Sequence, residues 1–100
     1  MIYITQLIFI KEGQEKTFEA FETVAMPLIS KYKGTLLLRL RPAGEAYIET
    51  NIERPYEVHL VSFPSEEDFQ RFMRDEERKN FLHLKEKSIK TSILIKGERI

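Results

Sequence analysis

The sequence predicts an α+β fold whose elements follow the order β-α-β-β-α-β in a single domain spanning residues 1–100. Four runs rich in β-branched and aromatic residues predict the strands. Apolar residues at helical spacing follow the first and third runs, which predicts one helix after each. Glycine, proline or serine stands at most junctions, as is typical of turns and helix caps.

The first half of the chain predicts a strand, a helix and a second strand. IYITQLIFI, residues 2–10, is the first strand, and a turn at Gly13 follows it. A helix then begins near Gln14, because apolar residues recur at spacings of three and four: Phe18, Phe21, Ala25, Leu28 and Tyr32. Gly34 is the expected C-terminal cap of this helix. TLLLRLR, residues 35–41, is the second strand.

The second half begins with a connection, residues 42–55, that is longer than most loops in compact domains. Apolar and polar residues alternate within it, which favours a strand extension over part of its length. YEVHLVSF, residues 56–63, is the third strand, and Ser65 is expected to cap the second helix. The charged run at residues 75–79 is interpreted as a solvated surface. SIKTSILIK, residues 88–96, alternates as a half-buried strand does.

Composition and charge argue against several classes of function. Sixteen basic and sixteen acidic side chains give zero net charge, so no excess positive charge is available to neutralise nucleic-acid phosphates. The third strand lacks the aromatic motif with which RNA-recognition domains stack bases. Cysteine is absent and the two histidines have no metal-ligand spacing, so neither a metal nor a cofactor is expected. The apolar first ten residues resemble neither a signal peptide nor a membrane span, which indicates a cytoplasmic protein without a membrane partner.

Both faces of the predicted sheet are rich in apolar residues. Right-handed crossovers place the two helices on one face, so this chain leaves the other face uncovered. In the first strand one set of alternating positions contains isoleucines, and the other contains Tyr3, Leu7 and Phe9. In the second strand alternation places on one side Thr35, Leu37, Arg39 and Arg41. An exposed apolar face is typical of an interface, so we predict a homodimer in which the uncovered faces of two sheets pack together.

Three stretches of the sequence resemble the dimeric α+β barrel superfamily, whose domains are ferredoxin-like. IFIKEGQEKTFEAFE, residues 8–22, is similar to the strand, glycine turn and helix start of antibiotic-biosynthesis-type monooxygenases. PLISKYKGTLLLR, residues 27–39, and VSFPSEEDFQRFMRDEE, residues 61–77, resemble a small family of unknown function within that superfamily. The resemblance implies a ferredoxin-like βαββαβ domain with two helices on one face of a four-stranded antiparallel sheet. It also implies a homodimer that pairs as a dimeric α+β barrel around a partly apolar cavity.

This resemblance does not choose among the activities of the superfamily, which include cofactor-free monooxygenases, haem-degrading enzymes and muconolactone isomerases. Monooxygenase relatives often carry a histidine on the second helix, where this sequence has Phe72. Haem-degrading relatives use a tryptophan, and this sequence contains none. His83 is interpreted as an exposed histidine at a helix end rather than as a haem ligand. These departures weaken both the oxygenase and the haem-degrading functions for this chain.

The candidate site residues lie on the second and third predicted strands, and Tyr56 is the first residue of the third. His59 is the candidate general base if its side faces the barrel, and a hydrogen-bonded histidine without a catalytic role is the alternative. Arg39 needs an anionic partner in mid-strand, so it either binds a small acid or forms a structural salt bridge with Glu57. Arg41 and Tyr56 are grouped with Arg39 as candidate substrate-binding residues.

Three hypotheses of function remain open on the sequence. The first is a homodimer without an assigned activity that binds a small apolar or aromatic acid in its barrel. The second is a cofactor-independent monooxygenase or isomerase acting on a small aromatic or lactone-type metabolite, with His59 as base and Arg39 as the anion-binding group. The third is a purely structural or stress-related dimer.

Overall fold

The computed structural model describes residues 1–100 and confirms the predicted α+β fold class. The elements are β1 (Ile2–Ile10), α1 (Glu15–Lys31), β2 (Thr35–Leu40), β3 (Glu57–Phe63), α2 (Glu66–Met73), α3 (Glu76–Asn80), α4 (Leu82–Ser88) and β4 (Ile89–Gly97). The four strands form one antiparallel sheet in the order β2-β3-β1-β4. Three short helices take the place of the single second helix that the sequence predicts. None of the helices combines the length and the apolar character needed to cross a membrane.

The connection between β2 and β3 contains no strand, so the predicted strand extension is wrong. Its only regular element is a 3₁₀ turn at Gly44–Ala46, and the alternating residues Ile48 and Ile52 are exposed. The hydroxyl of Tyr47 donates a hydrogen bond to the carbonyl oxygen of Pro55 at 3.1 Å, which ties the connection to its own end. Alternation here has no sheet partner, and it therefore does not produce a strand.

The C-terminus of α1 is closed by Lys33 rather than by the predicted glycine. Lys33 adopts a left-handed conformation with φ 66°, and its N–H donates to the carbonyl of Ser30. The N–H of Gly34 donates to the carbonyl of Ile29 at 2.9 Å, which completes the usual pair of bonds at a helix end. Gly34 is needed for a different reason, because a Cβ there would lie 2.6 Å from a ring carbon of Phe63.

Two side-chain caps begin the short helices. Ser65 caps α2 as predicted, since its Oγ accepts a hydrogen bond from the backbone N–H of Asp68. Asp75 caps α3 by accepting a hydrogen bond from the backbone N–H of Arg78 at 3.0 Å. Asp75 and Arg78 are both buried, so the interpretation of residues 75–79 as a solvated surface is wrong for these two. The reason is that Asp75 also bonds to side chains of the α1 end, which hold this turn against the domain.

One side of the sheet, here called the helix face, packs against the helices and carries the charged strand residues Arg39, Glu57 and Lys96. Cross-strand partners share a face, which makes its membership readable from the strand pairing. A β-bulge between Leu36 and Leu38 moves Arg39 onto this face, so the predicted grouping of Arg39 with Thr35 and Leu37 is wrong. The helix face consists of Ile2, Ile4, Gln6, Ile8, Leu36, Arg39, Glu57, His59, Val61, Phe63, Ser92, Leu94 and Lys96.

The opposite side of the sheet, here called the open face, has no helix over it. It consists of Tyr3, Thr5, Leu7, Phe9, Thr35, Leu38, Leu40, Val58, Leu60, Ser62, Thr91, Ile93, Ile95 and Gly97. None of these residues is charged, although 32% of the chain is. Several of its large apolar side chains are exposed, among them Leu38, Ile93 and Ile95. The sheet therefore has apolar residues on both faces: those of the helix face form the core with the helices, around a few charged side chains, and those of the open face have no helix over them.

Candidate functional site

A cavity of about 120 Å³ lies between the helix face and the helices. Its walls are mostly apolar and include Ile4, Phe21, Ala25, Met26, Ile29 and Val61. Its polar lining residues are Gln6, Glu22, His59, Arg78, Lys85 and Ser92. A core cavity of about 150 Å³ accepts benzene, so this somewhat smaller space has room for at most one small organic molecule. An apolar chamber with a few convergent polar groups is the usual form of a ligand site.

Glu57 is a buried carboxylate at the centre of a charged network on the helix face. It accepts hydrogen bonds from Nε of Arg39 at 3.0 Å, from Nε of Arg41 at 2.8 Å and from Nε2 of His59. Both arginines also pair with Glu19 on α1, which links the network to that helix. Burial raises the pKa of Glu57, but the hydrogen bonds from His59 and the two arginines outweigh it and lower the pKa to about 2. Glu57 is therefore ionised at neutral pH.

His59 occupies the buried end of this network and lines the cavity. An ionised carboxylate can only accept hydrogen bonds, so the contact with Glu57 requires the proton of the imidazole to sit on Nε2. The neutral ring then has an unprotonated Nδ1, and this tautomer follows from the hydrogen-bond network. Glu57 thus orients His59 as a carboxylate orients the imidazole in other acid–base sites.

Glu22 is a second buried carboxyl group at the cavity, placed there by α1. It is only 5% exposed, although glutamate is rarely buried without a partner. Burial raises the pKa of Glu22 to about 7; a protonated His59 and the charges of Arg39 and Arg78 oppose this rise, and the charge of Glu57 adds to it. The carboxyl group is therefore poised to gain or lose a proton near neutral pH, which is typical of functional groups in clefts.

Arg78 supplies a positive charge to the same cavity from α3. Its Nη1 donates to the carbonyl of Met73 at 3.2 Å, whereas its Nε is buried without any hydrogen-bond partner. The guanidinium lies over the rings of Phe21 and Phe72, at 5.8 Å and 5.4 Å from their centroids, which holds it in place. Burial lowers the pKa values of both Arg78 and the nearby Lys85. A buried donor without an acceptor costs about 1–3 kcal/mol.

Comparisons with known proteins identify the architecture. No protein-family model matches the sequence, and no curated protein matches it either. A protein of unknown function from Rhodopseudomonas palustris superposes with a TM-score of 0.82 at 15% identity, over 99% of this chain and 82% of that one. An uncharacterised NIPSNAP domain protein from Burkholderia xenovorans superposes with a TM-score of 0.71 at 9% sequence identity, over 100% of this chain and 95% of that one. A DABB family protein with a ferredoxin-like fold from Mesorhizobium loti superposes with a TM-score of 0.67 at 15% sequence identity, over 99% of this chain and 96% of that one.

The fold is ferredoxin-like. At these sequence identities the similarity establishes the fold alone, and it is compatible with the α+β barrel superfamily that the sequence resembles. The function of this chain therefore has to be argued from its own side chains.

The ferredoxin-like sheet brings the four predicted site residues into one region, but their side chains have different surroundings. His59 lines the cavity beneath the helices, on the opposite side of the sheet from the open face, so its side chain does not point where the sequence analysis placed a barrel site. Arg39 and Arg41 point toward the same layer but are engaged by Glu57, so the structural salt bridge considered from the sequence is present. Tyr56 packs edge-on against Phe18, and the guanidinium of Arg41 lies 5.0 Å above its ring. His83 is exposed, as expected.

Glu22, Arg78 and Lys85 are cavity residues that the sequence analysis missed. Glu22 had a detectable signal, because it lies four residues after Phe18 and three before Ala25, on the apolar stripe of α1. A carboxylate on such a stripe is rare unless another group pairs with it. Arg78 gave no such signal, because it stands among the charged residues of a short helix whose burial depends on the tertiary fold. No group of three or more acidic or histidine side chains is arranged to hold a metal ion.

Proposed function

We propose that this protein binds a small, mainly apolar acid in the cavity beneath its helices. The observation that carries the proposal is Arg78, a charged residue that lines the apolar cavity and whose buried Nε has no hydrogen-bond acceptor in the protein. A carboxylate that entered the cavity would accept from this donor and would offset the positive charges of Arg78 and Lys85. The site residues predicted from the sequence have a supporting role here, since Arg39 and Arg41 hold Glu57 in place.

The size and the lining of the cavity define the ligand class. A volume of about 120 Å³ suits a ring or a short branched chain with one acidic group. Phe21, Ala25 and Ile29 of α1 would contact its apolar part. The acidic group would lie beside Arg78, where the two aromatic rings exclude water and strengthen the ion pair. A neutral molecule of the same shape would form no ion pair with Arg78 and would bind more weakly.

Benzoate and benzyl alcohol form a matched pair of probes for this proposal. We expect benzoate to raise the melting temperature and to bind in calorimetric titration, with benzyl alcohol at least tenfold weaker. Arg78→Gln should remove this preference for the acid, whereas Lys79→Gln, an exposed change on the same helix, should leave it intact. Ala25→Leu should abolish binding of both probes by filling the chamber without altering its charge. Binding of neither probe by the wild-type protein would contradict the proposal.

Benzoate binding should also depend on pH because Glu22 lines the same cavity. Burial raises the pKa of Glu22 to about 7, so this group becomes a carboxylate as the pH rises past neutrality. Its negative charge would then repel the bound acid, and affinity should fall between pH 6 and pH 8. Glu22→Gln should abolish most of this fall, and an unchanged pH dependence in the variant would show that Glu22 does not face the ligand.

The proposal includes a homodimer formed by the open face. The uncharged residues of that face, several of them exposed, support pairing with a second copy, since apolar patches of this kind mark interfaces. A twin sheet matches it by symmetry, because a two-fold axis places the same apolar surface on both partners. In this arrangement the ligand cavity and the dimer interface lie on opposite sides of the sheet, so binding and pairing can be tested separately.

A further inference from the structure

Two buried ionisable side chains line the cavity from opposite walls. Glu22 reaches it from α1 and His59 reaches it from β3, and they are 5% and 3% exposed. No hydrogen bond from the protein compensates for the burial of the Glu22 carboxyl group. The charged groups that act on Glu22 come from each element around it: Arg39 on β2, Glu57 and His59 on β3, Arg78 on α3 and Lys85 on α4. Such an arrangement weakens the fold, which points to a use in chemistry.

We infer that Glu22 and His59 act as an acid–base pair that transfers a proton on the ligand bound between them, and that Glu57 positions His59 for this step. The inference rests on the proposed function, because it requires a ligand in the cavity. It adds an activity to binding, namely a proton transfer that the residues of this chain perform by themselves.

Glu57 sets the form in which His59 can act. Because the carboxylate of Glu57 accepts from Nε2, the neutral imidazole has a free lone pair on Nδ1. Arg39 and Arg41 keep Glu57 ionised and fixed, so the ring cannot easily exchange its two nitrogens. When Nδ1 takes up a proton, the negative charge of Glu57 stabilises the imidazolium. Glu57 is therefore a positioning residue, and His59 is the base that meets the ligand.

The substrate class is a small apolar acid with a C–H bond next to a carbonyl group. Nδ1 of His59 takes this proton, and the electron pair of the C–H bond moves toward the carbonyl oxygen to form an enolate. Protonated Glu22 then donates its proton to the enolate oxygen, or to the distant carbon of a conjugated double bond. The proton on His59 returns to Glu22 directly or through water. The net reaction is an isomerisation that consumes no oxidant and no other co-reactant.

The protonation state of Glu22 limits the pH range of this reaction. Burial raises the pKa of Glu22 to about 7, so the acid form that donates the proton is present at and below neutral pH. The rate should therefore fall as the pH rises through about 7. In Glu22→Gln this alkaline fall should disappear together with most of the rate.

A measurement on the free protein tests the role of Glu57 without any ligand. Two-bond ¹H–¹⁵N correlation spectra of ¹⁵N-histidine-labelled protein at pH 8 distinguish the two neutral tautomers. We expect His59 to carry its proton on Nε2 in the wild type and to lose this strict preference in Glu57→Gln. Exposed His83 serves as the internal control and should give the same signals in both proteins. A proton on Nδ1 of His59 in the wild type would overturn the inference.

A second measurement tests the proton transfer with 2-oxopentanoate, which carries exchangeable C–H bonds beside its keto group. In D₂O the wild type should accelerate replacement of the C3 hydrogens by deuterium, followed by ¹H NMR. His59→Asn and Glu22→Gln should each lower this rate about a hundredfold. The matched controls His83→Asn and Glu15→Gln, both exposed, should keep the wild-type rate. Glu57→Gln should lower kcat more than it raises KM.

The outcomes separate this inference from the proposed function. If 2-oxopentanoate stabilises the wild type but exchanges no faster than in protein-free buffer, the acid–base pair is wrong and ligand binding stands. Wild-type exchange rates in Glu22→Gln or His59→Asn lead to the same conclusion. If neither benzoate nor 2-oxopentanoate binds, the proposed function fails and the proton transfer fails with it.

Discussion

Gly34 shows how a single residue fixes the distance between α1 and the sheet. Its backbone is so close to the core that a Cβ would lie 2.6 Å from the ring of Phe63 and 2.7 Å from a methyl carbon of Ile29. Phe63 is fully enclosed and has no room to move away. A side chain as small as a methyl group at residue 34 would therefore push α1 from β3.

Gly34→Ala is expected to lower the free energy of unfolding by about 1–3 kcal/mol because it overfills this contact. Urea unfolding followed by circular dichroism measures the change. Gly97→Ala is the matched control, because a Cβ at that residue meets nothing within 4 Å and the same substitution should have little effect. Equal midpoints for the two variants would mean that the close approach of α1 is not present in solution.

Glu22 makes the stability of the protein depend on pH in an unusual direction. Burial raises its pKa from the ordinary value of 4.5 to about 7, so the native state holds this proton more tightly than the unfolded chain does. Stability from this group is therefore fully present below pH 4.5 and is lost as the pH rises through about 7. At about 1.4 kcal/mol per pKa unit, the loss across this window is about 3 kcal/mol.

Glu22→Gln should remove this dependence, because the amide cannot ionise. We expect the free energy of unfolding of the variant, relative to wild type, to increase between pH 5 and pH 8. Urea unfolding at a series of pH values measures it, and comparison with the wild type cancels the groups that both proteins share. Glu15→Gln, an exposed change in the first turn of α1, should run parallel to the wild type. If the unfolding free energy of Glu22→Gln had the same pH dependence as that of the wild type, the Glu22 carboxyl group would be exposed to solvent.

At the scale of elements, Asp75 joins the short helices to the end of α1. Its Oδ1 accepts from the backbone N–H of Arg78, which begins α3 and thereby holds the guanidinium at the cavity. Its Oδ2 accepts from the Tyr32 hydroxyl and from Nζ of Lys31 at 3.0 Å. The hydrogen bond from Tyr32, followed by that from the backbone of Arg78, lowers the pKa of Asp75 strongly. One carboxylate thus connects α3 to the end of α1.

Asp75→Ala should lower the free energy of unfolding by about 1–2 kcal/mol, the effect of losing a helix cap. It should also speed amide hydrogen exchange across α3, because Arg78 would lose the acceptor for its N–H. Glu76→Ala removes an exposed carboxylate from the adjacent residue and serves as the control. Exchange in α3 that stays as slow in Asp75→Ala as in Glu76→Ala would show that the cap does not hold this helix.

The sequence was sufficient for the order and bounds of the strands, since alternation and β-branched composition marked each one to within about a residue. It was insufficient where tertiary contacts override local patterns. The bulge near Leu37 reverses the side on which Arg39 lies, and alternation alone contains no sign of it. The burial of Asp75 depends on partners more than forty residues away, which a local charged run does not reveal. Part of the candidate site, Arg78 above all, depends on those same distant contacts.

At the scale of the whole molecule, the two apolar faces of the sheet explain why sequence reasoning could find His59 but could not place it. Both faces of the strands contain apolar residues, so hydrophobicity does not show which face the helices cover. The charged residues identify the covered face only in the folded structure, where Glu57 pairs with Arg39 and Arg41 beneath α1. A polar network inside and an apolar face outside are consistent with a domain that uses its interior for a ligand and its exterior for a partner.

The uncovered open face makes a specific prediction about two leucines on the edge strand β2. Leu36 and Leu38 are 37% and 47% exposed, yet they lie on opposite faces of the sheet. If two open faces pack together, light scattering should give the wild type twice the mass of one chain, and its melting temperature should rise with protein concentration. Leu38→Glu places a charge within that interface and should yield monomers, because a desolvated carboxylate without a partner is costly. Leu36→Glu makes the same chemical change on the helix face and should remain dimeric. The two substitutions match in chemistry and nearly in exposure, so a general loss of stability should affect both variants alike. A monomeric wild type, or equal masses for the two variants, would contradict pairing through the open face.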